Sequence, residues 1–236
     1  MAEELWNGIS MEQSEDGFRL GPDSVLLAQF FSVPPRANIA DLGSGCGTLG
    51  LLLCADVPDC RVTGVELDEK AHRLALLNIR RNALESRMTS LQGDVREIRR
   101  VLKANSFDCV ISNPPYFPAG SGKLSKQHAM ARSEETLPLN TLCGAAAYLL
   151  PTGGRFALVH RPERLCDLFC ALRENGLEPK RIRFVRHQER SPVCLVLVEA
   201  RRGGRPGLTY LPDFIEFTPD GAETGMYRAA YHRGET

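Results

Sequence analysis

One segment restricts the possible folds more than any other. Asp41-Leu42-Gly43-Ser44-Gly45-Cys46-Gly47 stands between two short apolar stretches, Asn38 to Leu42 and Thr48 to Ala55. Three alternate glycines permit backbone turns that side chains forbid, so a strand turns here sharply into a helix. The rhythm then repeats. Arg61 to Glu66 reads as a strand, and Glu69 to Ala83 as a helix with Leu74, Leu77 and Leu84 on one face. Thr89 to Gln92 and Phe107 to Ser112 read as strands. Leu139 to Leu150 reads as a helix, Arg155 to His160 as a strand, and Pro162 to Asn175 as a helix ended by Gly176. Such alternation implies an α/β fold with a doubly wound, mostly parallel sheet. Lys180 to Arg186 and Val193 to Ala200 flank a polar link and predict an antiparallel hairpin at the end of the sheet.

The 236 residues suit one such domain, over 38–217. An N-terminal segment, 1–37, carries a short helix from Ser24 to Phe31 and is expected to pack on the main fold. A tail over 218–236 closes the chain, and everything after Arg201 reads as loosely structured. Formal net charge is +0, which gives no support to bulk polyanion binding and leaves a local basic patch as the route to nucleic acid. None of the eight cysteines pair as Cys-x-x-Cys, and no ligand set completes around Cys166 and Cys170, so no metal site is expected. Cysteines within apolar runs read as reduced core thiols of a cytoplasmic protein. Met1 to Ser10 lacks a signal-peptide pattern, and no apolar run approaches the ~20 residues that span a bilayer. A monomer or weak dimer is expected.

Asp41 ends its strand at the edge where open α/β sheets bind ligands. The spacing Gly-x-Gly-x-Gly departs from the Gly-x-Gly-x-x-Gly of dinucleotide sites, whose helix N-terminus faces a pyrophosphate. A phosphate-free ligand, S-adenosylmethionine, suits the loop better. Backbone N–H groups of Gly43, Ser44, Gly45 and Gly47 can meet its carboxylate, and Asp41 can face its ammonium. In Val65-Glu66-Leu67-Asp68, Glu66 ends the next strand, where a carboxylate accepts from both ribose hydroxyls, and Leu67 adjoins it. Asp68 reads as a helix cap. Gly93-Asp94-Val95 adds a third loop at this edge, with Asp94 placed to accept from an adenine amino group or to cap a turn.

The strongest chemical signal is Asn113-Pro114-Pro115-Tyr116, after the strand that ends at Ser112. The exocyclic amine of adenine is a poor nucleophile because its lone pair is delocalised into the ring. The Asn113 side-chain oxygen and the Pro114 carbonyl can accept its two N–H groups, on a backbone that Pro114 and Pro115 stiffen. Tyr116 offers a face for stacking the base, worth roughly 1–3 kcal/mol. With the three cofactor loops, this turn points to an S-adenosylmethionine-dependent N-methyltransferase.

Asp41-x-Gly-x-Gly-x-Gly, Glu66, Asp94 and Asn113-Pro-Pro-Tyr116, in this order, resemble the class I methyltransferases that modify exocyclic or amide nitrogens. Gly17-Phe-Arg-Leu-Gly-Pro-Asp-Ser-Val-Leu-Leu-Ala28, Phe117 after the Asn-Pro-Pro-Tyr, Ala131-Arg-Ser-Glu134 and Pro162-Glu-Arg164 are similar to one family among them. These are the bacterial tRNA (adenine-N6)-methyltransferases that act on a valine tRNA beside its anticodon. The resemblance covers roughly 15–217. It implies a seven-stranded Rossmann-like methyltransferase sheet, S-adenosylmethionine as donor with S-adenosylhomocysteine as product, and adenine N6 in tRNA as acceptor. Ser133 stands where that family often has His, and it receives no catalytic role.

Phe117, Lys123, Lys126 and Arg132, with His128, follow the catalytic turn and form a candidate substrate contact. Lys180, Arg181, Arg183, Arg186 and Arg190, then Arg201, Arg202 and Arg205, read either as phosphate contacts or as solvated edge-strand charges. His160 reads as a hydrogen-bonded strand-end histidine. The nearest alternative enzyme methylates a glutamine amide of release factors, since a carboxamide nitrogen poses the same problem. That family usually carries a helical domain before its cofactor loop, and about forty residues precede Asp41 here. DNA adenine and RNA guanine-N2 enzymes are further alternatives, as is a module that binds cofactor without catalysis.

Overall fold

A computed structural model describes residues 2–4, 8–13, 21–114 and 137–231 of the chain. Pro115, Tyr116, Phe117, Lys123, Lys126, His128, Arg132, Ser133 and the stretch 14–20 lie outside the described residues. The elements are β1 (Ala2–Glu4), β2 (Ser10–Glu12), α1 (Pro22–Phe30), β3 (Asn38–Leu42), α2 (Thr48–Asp56), β4 (Arg61–Glu66), α3 (Glu69–Arg81), β5 (Met88–Gln92), α4 (Ile98–Val101) and β6 (Cys109–Ser112). After these come α5 (Leu139–Leu149), β7 (Arg155–His160), α6 (Leu165–Glu174), β8 (Leu177–Arg186), β9 (Val193–Arg202), β10 (Thr209–Tyr210), β11 (Phe214–Ile215) and α7 (Gly225–Ala230).

Among the described residues the main sheet has the order β10-β8-β9-β7-β6-β3-β4-β5, with β11 also beside β8. Strands β5, β4, β3, β6 and β7 are parallel, and β9 runs antiparallel to both β7 and β8. Alternate strand residues feed two cores. Ile39, Cys109, Ile111, Ala157 and Val159 pack with α1 and α2 on one face. Ala40, Val110, Phe156 and Leu158 pack with α5 and α6 on the other. Near-continuous apolar strands are what a sheet covered on both faces requires.

Two expectations need correction. The chain beyond Arg201 is not loose: β10 and β11 each pair in parallel with the outer edge of β8, and α7 follows, capped by the Thr224 hydroxyl. They add two short strands to the seven-stranded core. The face of α3 is also different. Leu77 is 44% exposed, while Ala75, Asn78 and Ile79 are buried. Asn78 is buried because it serves backbone groups: its Oδ1 accepts from Glu12 N–H at 2.8 Å, and its Nδ2 donates to the Glu12 and Cys46 carbonyls at 3.0 Å each. Asn82, four residues on, holds both backbone groups of Ser10. Two asparagines one turn apart thus clamp β2 to α3 and leave Met11 fully buried.

The basic stretch on β8 is largely committed to the fold. Arg181 pairs with Glu199 at 2.8 Å and lies over the Phe30 ring, and Arg186 pairs with Asp213 at 2.7 Å. Lys180 donates to the Arg205 carbonyl, and Arg202 to that of Asn175. No described helix is long and apolar enough to cross a membrane.

Candidate active site

The parallel strands all end at one edge, and the predicted motifs meet there. Gly43, Gly45 and Gly47 have φ of 75°, 55° and 88°, a region that only glycine enters without strain. The loop is pinned to its neighbour β4. Gly43 and Ser44 N–H donate to the Val65 carbonyl at 2.9 and 3.2 Å, and Gly45 N–H donates to Glu66 Oε2 at 2.7 Å. Glu66 Oε1 accepts from Asp68 N–H at 2.8 Å, and the Glu66 carbonyl accepts from Gly93 N–H. Glu66 therefore ties all three loops together. A carboxylate has about four lone-pair sites, so two such bonds leave capacity for hydroxyls of a ligand. Leu67 beside it is 47% exposed.

Beneath the loop lies an electrostatic anomaly. Asp41 is 1% exposed, yet neither carboxylate oxygen has a hydrogen-bond partner among the described residues. Burial, then the nearby Glu66 carboxylate, pushes the Asp41 pKa up to about 8. Buried acceptors without donors are costly and rare, and they concentrate at functional sites. Ser44 Oγ is buried and has no hydrogen-bond partner among the described residues either. It fits under the sheet edge because Gly64, the register partner of Asp41, has no side chain: a Cβ there would stand 2.6 Å from Ser44 Oγ. Sequence reading did not single out Gly64, although a glycine inside an apolar strand signals a close approach of this kind. These residues fit a ligand that brings a cation to Asp41 and hydroxyls to Glu66.

Asp94 behaves first as a cap. Its Oδ1 accepts from Arg96 N–H at 2.8 Å, and the Arg96 guanidinium pairs with both oxygens, holding the Asp94 carboxyl below the usual carboxylate range. Val95 is buried next to it.

Asn113 and Pro114 follow β6, which pairs with β3 through Asp41 and Ile111. Gly43 and Asn113 come one residue past the ends of these two adjacent strands. Ser112 Oγ donates to the Leu42 carbonyl at 2.7 Å and locks the two strand ends together. Asn113 Nδ2 donates to Ser24 Oγ at 3.0 Å. Ser24 lies in α1 and is 1% exposed. Sequence reading gave it no role, because nothing local marks a contact 89 residues away. His160 is fully buried at the end of β7, its Nδ1 accepting from Arg161 N–H, in keeping with a strand-end histidine.

Residues 17–166 match the family model described as methyltransferase small domain. A tRNA1(Val) (adenine(37)-N6)-methyltransferase of Porphyromonas gingivalis is 34% identical over 166 residues, 68% of this chain and 65% of that protein. The match thus spans less than two thirds of that relative's length. A relative of the same name from Shewanella sp. (strain MR-4) is 30% identical over 218 residues, 86% of this chain and 92% of its own. The fold is that of a predicted O-methyltransferase from Agrobacterium tumefaciens, with a TM-score of 0.74 at 22% identity over 89% of this chain and 95% of the other.

Proposed function

Since the chain belongs to the methyltransferase small domain family, we propose that it transfers the methyl group of S-adenosylmethionine to the N6 amine of an adenine in tRNA. The observation that carries this reading is the lock between two sites. A glycine loop over an unsatisfied buried carboxylate is joined through Ser112 Oγ and the Leu42 carbonyl to the strand end that bears Asn113. When bound, the cofactor supplies an electrophilic methyl group on a sulfonium. Asp41 would face its ammonium, the loop from Gly43 to Gly47 its amino-acid end, Glu66 and Leu67 its ribose, and Asp94 and Val95 its adenine. Asp94 would share its carboxylate with Arg96 in that role.

On the acceptor side, Asn113 Oδ1 and the Pro114 carbonyl hold the two N–H groups of a flipped-out adenine amine. Two fixed acceptors favour a pyramidal nitrogen and need no reorganisation as positive charge develops on it. Most of the acceleration comes from placing nitrogen and methyl group in contact. Pro115 stiffens the turn, Tyr116 stacks the base, and Phe117, Lys123, Lys126 and Arg132 contact the nucleic acid. Support for tRNA comes from the names of the curated relatives, including one aligned over 92% of its length. Support for a donor cation comes from Asp41.

Asn113→Ala is the direct test. It should abolish methyl transfer to tRNA while leaving the cofactor Kd within about twofold. Turnover at the normal rate would show that the amine is held elsewhere.

A further inference from the structure

Among the described residues, one group of metal-ligating side chains stands apart from the candidate active site. It consists of His187, Cys194 and Glu216, whose ligand atoms all lie within 4.8 Å of one another. They come from three places: the residue after β8, the start of β9 and the residue after β11. The cluster sits at the carboxyl end of β8, three strands across the sheet from β6. No spacing in the sequence marks this set, because only the sheet brings it together.

The backbone fixes each donor. Strand β11 runs parallel beside β8 with Ile215 opposite Arg186, so Glu216 follows beside His187. Glu216 N–H donates to the Arg186 carbonyl at 3.0 Å, and Phe217 N–H donates to the His187 carbonyl at 2.8 Å. His187 Nδ1 and Glu216 Oε2 are in hydrogen-bond contact. Cys194 is the irregular member. Val185 pairs with Leu195 but Arg186 pairs with Val193, so Cys194 is the extra residue of a β-bulge. A bulge re-aims the side chain it carries, and here it brings the thiol to the His187–Glu216 pair. Arg161 Nη1 donates to the Cys194 carbonyl at 2.9 Å, and the thiol itself donates weakly to the Val185 carbonyl at 3.3 Å.

The donor set selects an ion. Thiolate, imidazole and carboxylate together suit Zn²⁺, whereas Mg²⁺ and Ca²⁺ take oxygen ligands. Tetrahedral zinc holds its ligands about 3.5 Å apart, so side-chain rotations of about an ångström seat it here. Charge agrees as well. Glu216 is 3% exposed, and a buried carboxylate needs a counter-charge. One dication against one thiolate and one carboxylate leaves a neutral centre. The His187 side chain is 65% exposed, which gives the ion a way in.

We propose that His187, Cys194 and Glu216 form a zinc site, with water as the fourth ligand, that fastens β11 and the tail behind it to the β8–β9 hairpin. On binding, the thiol proton and any proton on His187 Nδ1 pass to water. Three bonds to the metal replace the His187–Glu216 and Cys194–Val185 hydrogen bonds. Strand β11 is two residues long, so a cross-link beside it adds much to a short ladder. The proposal does not depend on the methyl-transfer reading.

The test uses the untagged full-length chain, freed of metal with a chelator and titrated with zinc chloride by calorimetry. Cys194→Ser, His187→Ala and Cys166→Ser, a control at an exposed cysteine, are run beside wild type. Wild type should bind one equivalent with a Kd of roughly 1 µM or below, and magnesium chloride should give no heat. Cys194→Ser and His187→Ala should weaken zinc roughly 100-fold or more, and Cys166→Ser should not change it. Zinc should raise the melting temperature of wild type and leave that of Cys194→Ser in place. Cobalt chloride keeps the test open should a variant fold poorly: wild type alone must show the charge-transfer absorption of one thiolate ligand. Absence of zinc binding, equal binding in Cys194→Ser and wild type, or a cobalt spectrum without a thiolate band would overturn the proposal.

Discussion

Replacing Asp41 with asparagine should stabilise the cofactor-free protein and weaken its hold on cofactor. Asp41 is 1% exposed, has no described hydrogen-bond partner, and titrates near 8 rather than at 3.8. Its folded-state pKa lies above the unfolded one. The stability it contributes is therefore complete below about pH 4 and is lost as pH rises through 8. Between 3.8 and pH 7 the protein resists ionisation that the unfolded chain accepts, at about 1.36 kcal/mol per pH unit, or about 4 kcal/mol. Water entering the pocket relieves part of this, so Asp41→Asn should gain about 1–3 kcal/mol at pH 7. At about 2–4 °C per kcal/mol for a domain of this size, the melting temperature rises by several degrees. The difference from wild type should widen from pH 5 to pH 8.5 and close near pH 4. Binding should suffer in the opposite direction, since losing a carboxylate opposite an ammonium removes about 1.5–3 kcal/mol, ten- to a hundredfold in Kd. Thermal melts across pH and titration calorimetry measure both. A variant that melts no higher than wild type at pH 8, or that binds cofactor equally well, would refute the reasoning.

Four other substitutions probe the same edge and its supports. Gly64→Ala places a methyl group 2.6 Å from Ser44 Oγ and 2.8 Å from Ser44 Cβ. It should lower stability by about 1–3 kcal/mol and weaken cofactor binding as the loop moves, both visible in melts with and without cofactor. Arg96→Ala releases the Asp94 carboxylate from its exposed partner, so cofactor Kd should hold or tighten, whereas Asp94→Ala should weaken it roughly tenfold in the same calorimetric assay. Asn78→Ala removes three bonds from a fully buried amide that links β2 to the glycine loop. A loss of about 2–4 kcal/mol in denaturant melts is expected, and a loss under 1 kcal/mol would show that the clamp is incidental.

What was legible in the chain depended on whether its cause was local. The glycine loop, Glu66 at a strand end and the turn after β6 are set by neighbours in sequence, and strand-helix alternation implied the parallel sheet they lie on. Elements set by distant partners were not legible. Thr209–Tyr210 and Phe214–Ile215 are strands because the outer edge of β8 offers them hydrogen bonds, not because two residues carry a pattern. Strand β8 begins three residues earlier than its apolar pattern suggests, at Leu177, and continues past Pro179 through an irregularity in register with β9. Asn78 has nothing in its sequence neighbourhood that marks it as buried, and it is buried because β2 brings it backbone partners. Arg181 and Arg186 read either as phosphate contacts or as solvated charges, and they are instead paired with Glu199 and Asp213, which come from elsewhere in the chain. Ser24 is the same kind of case, a polar residue in an apolar helix whose reason sits on another element.

The most direct test of the central claim is transfer of labelled methyl groups from S-adenosylmethionine to total bacterial tRNA, with release factor in a parallel reaction and digestion of the labelled RNA to nucleosides. The account predicts label in N6-methyladenosine from tRNA and none in the protein. Label in the release factor, or in a nucleoside other than N6-methyladenosine, would contradict it.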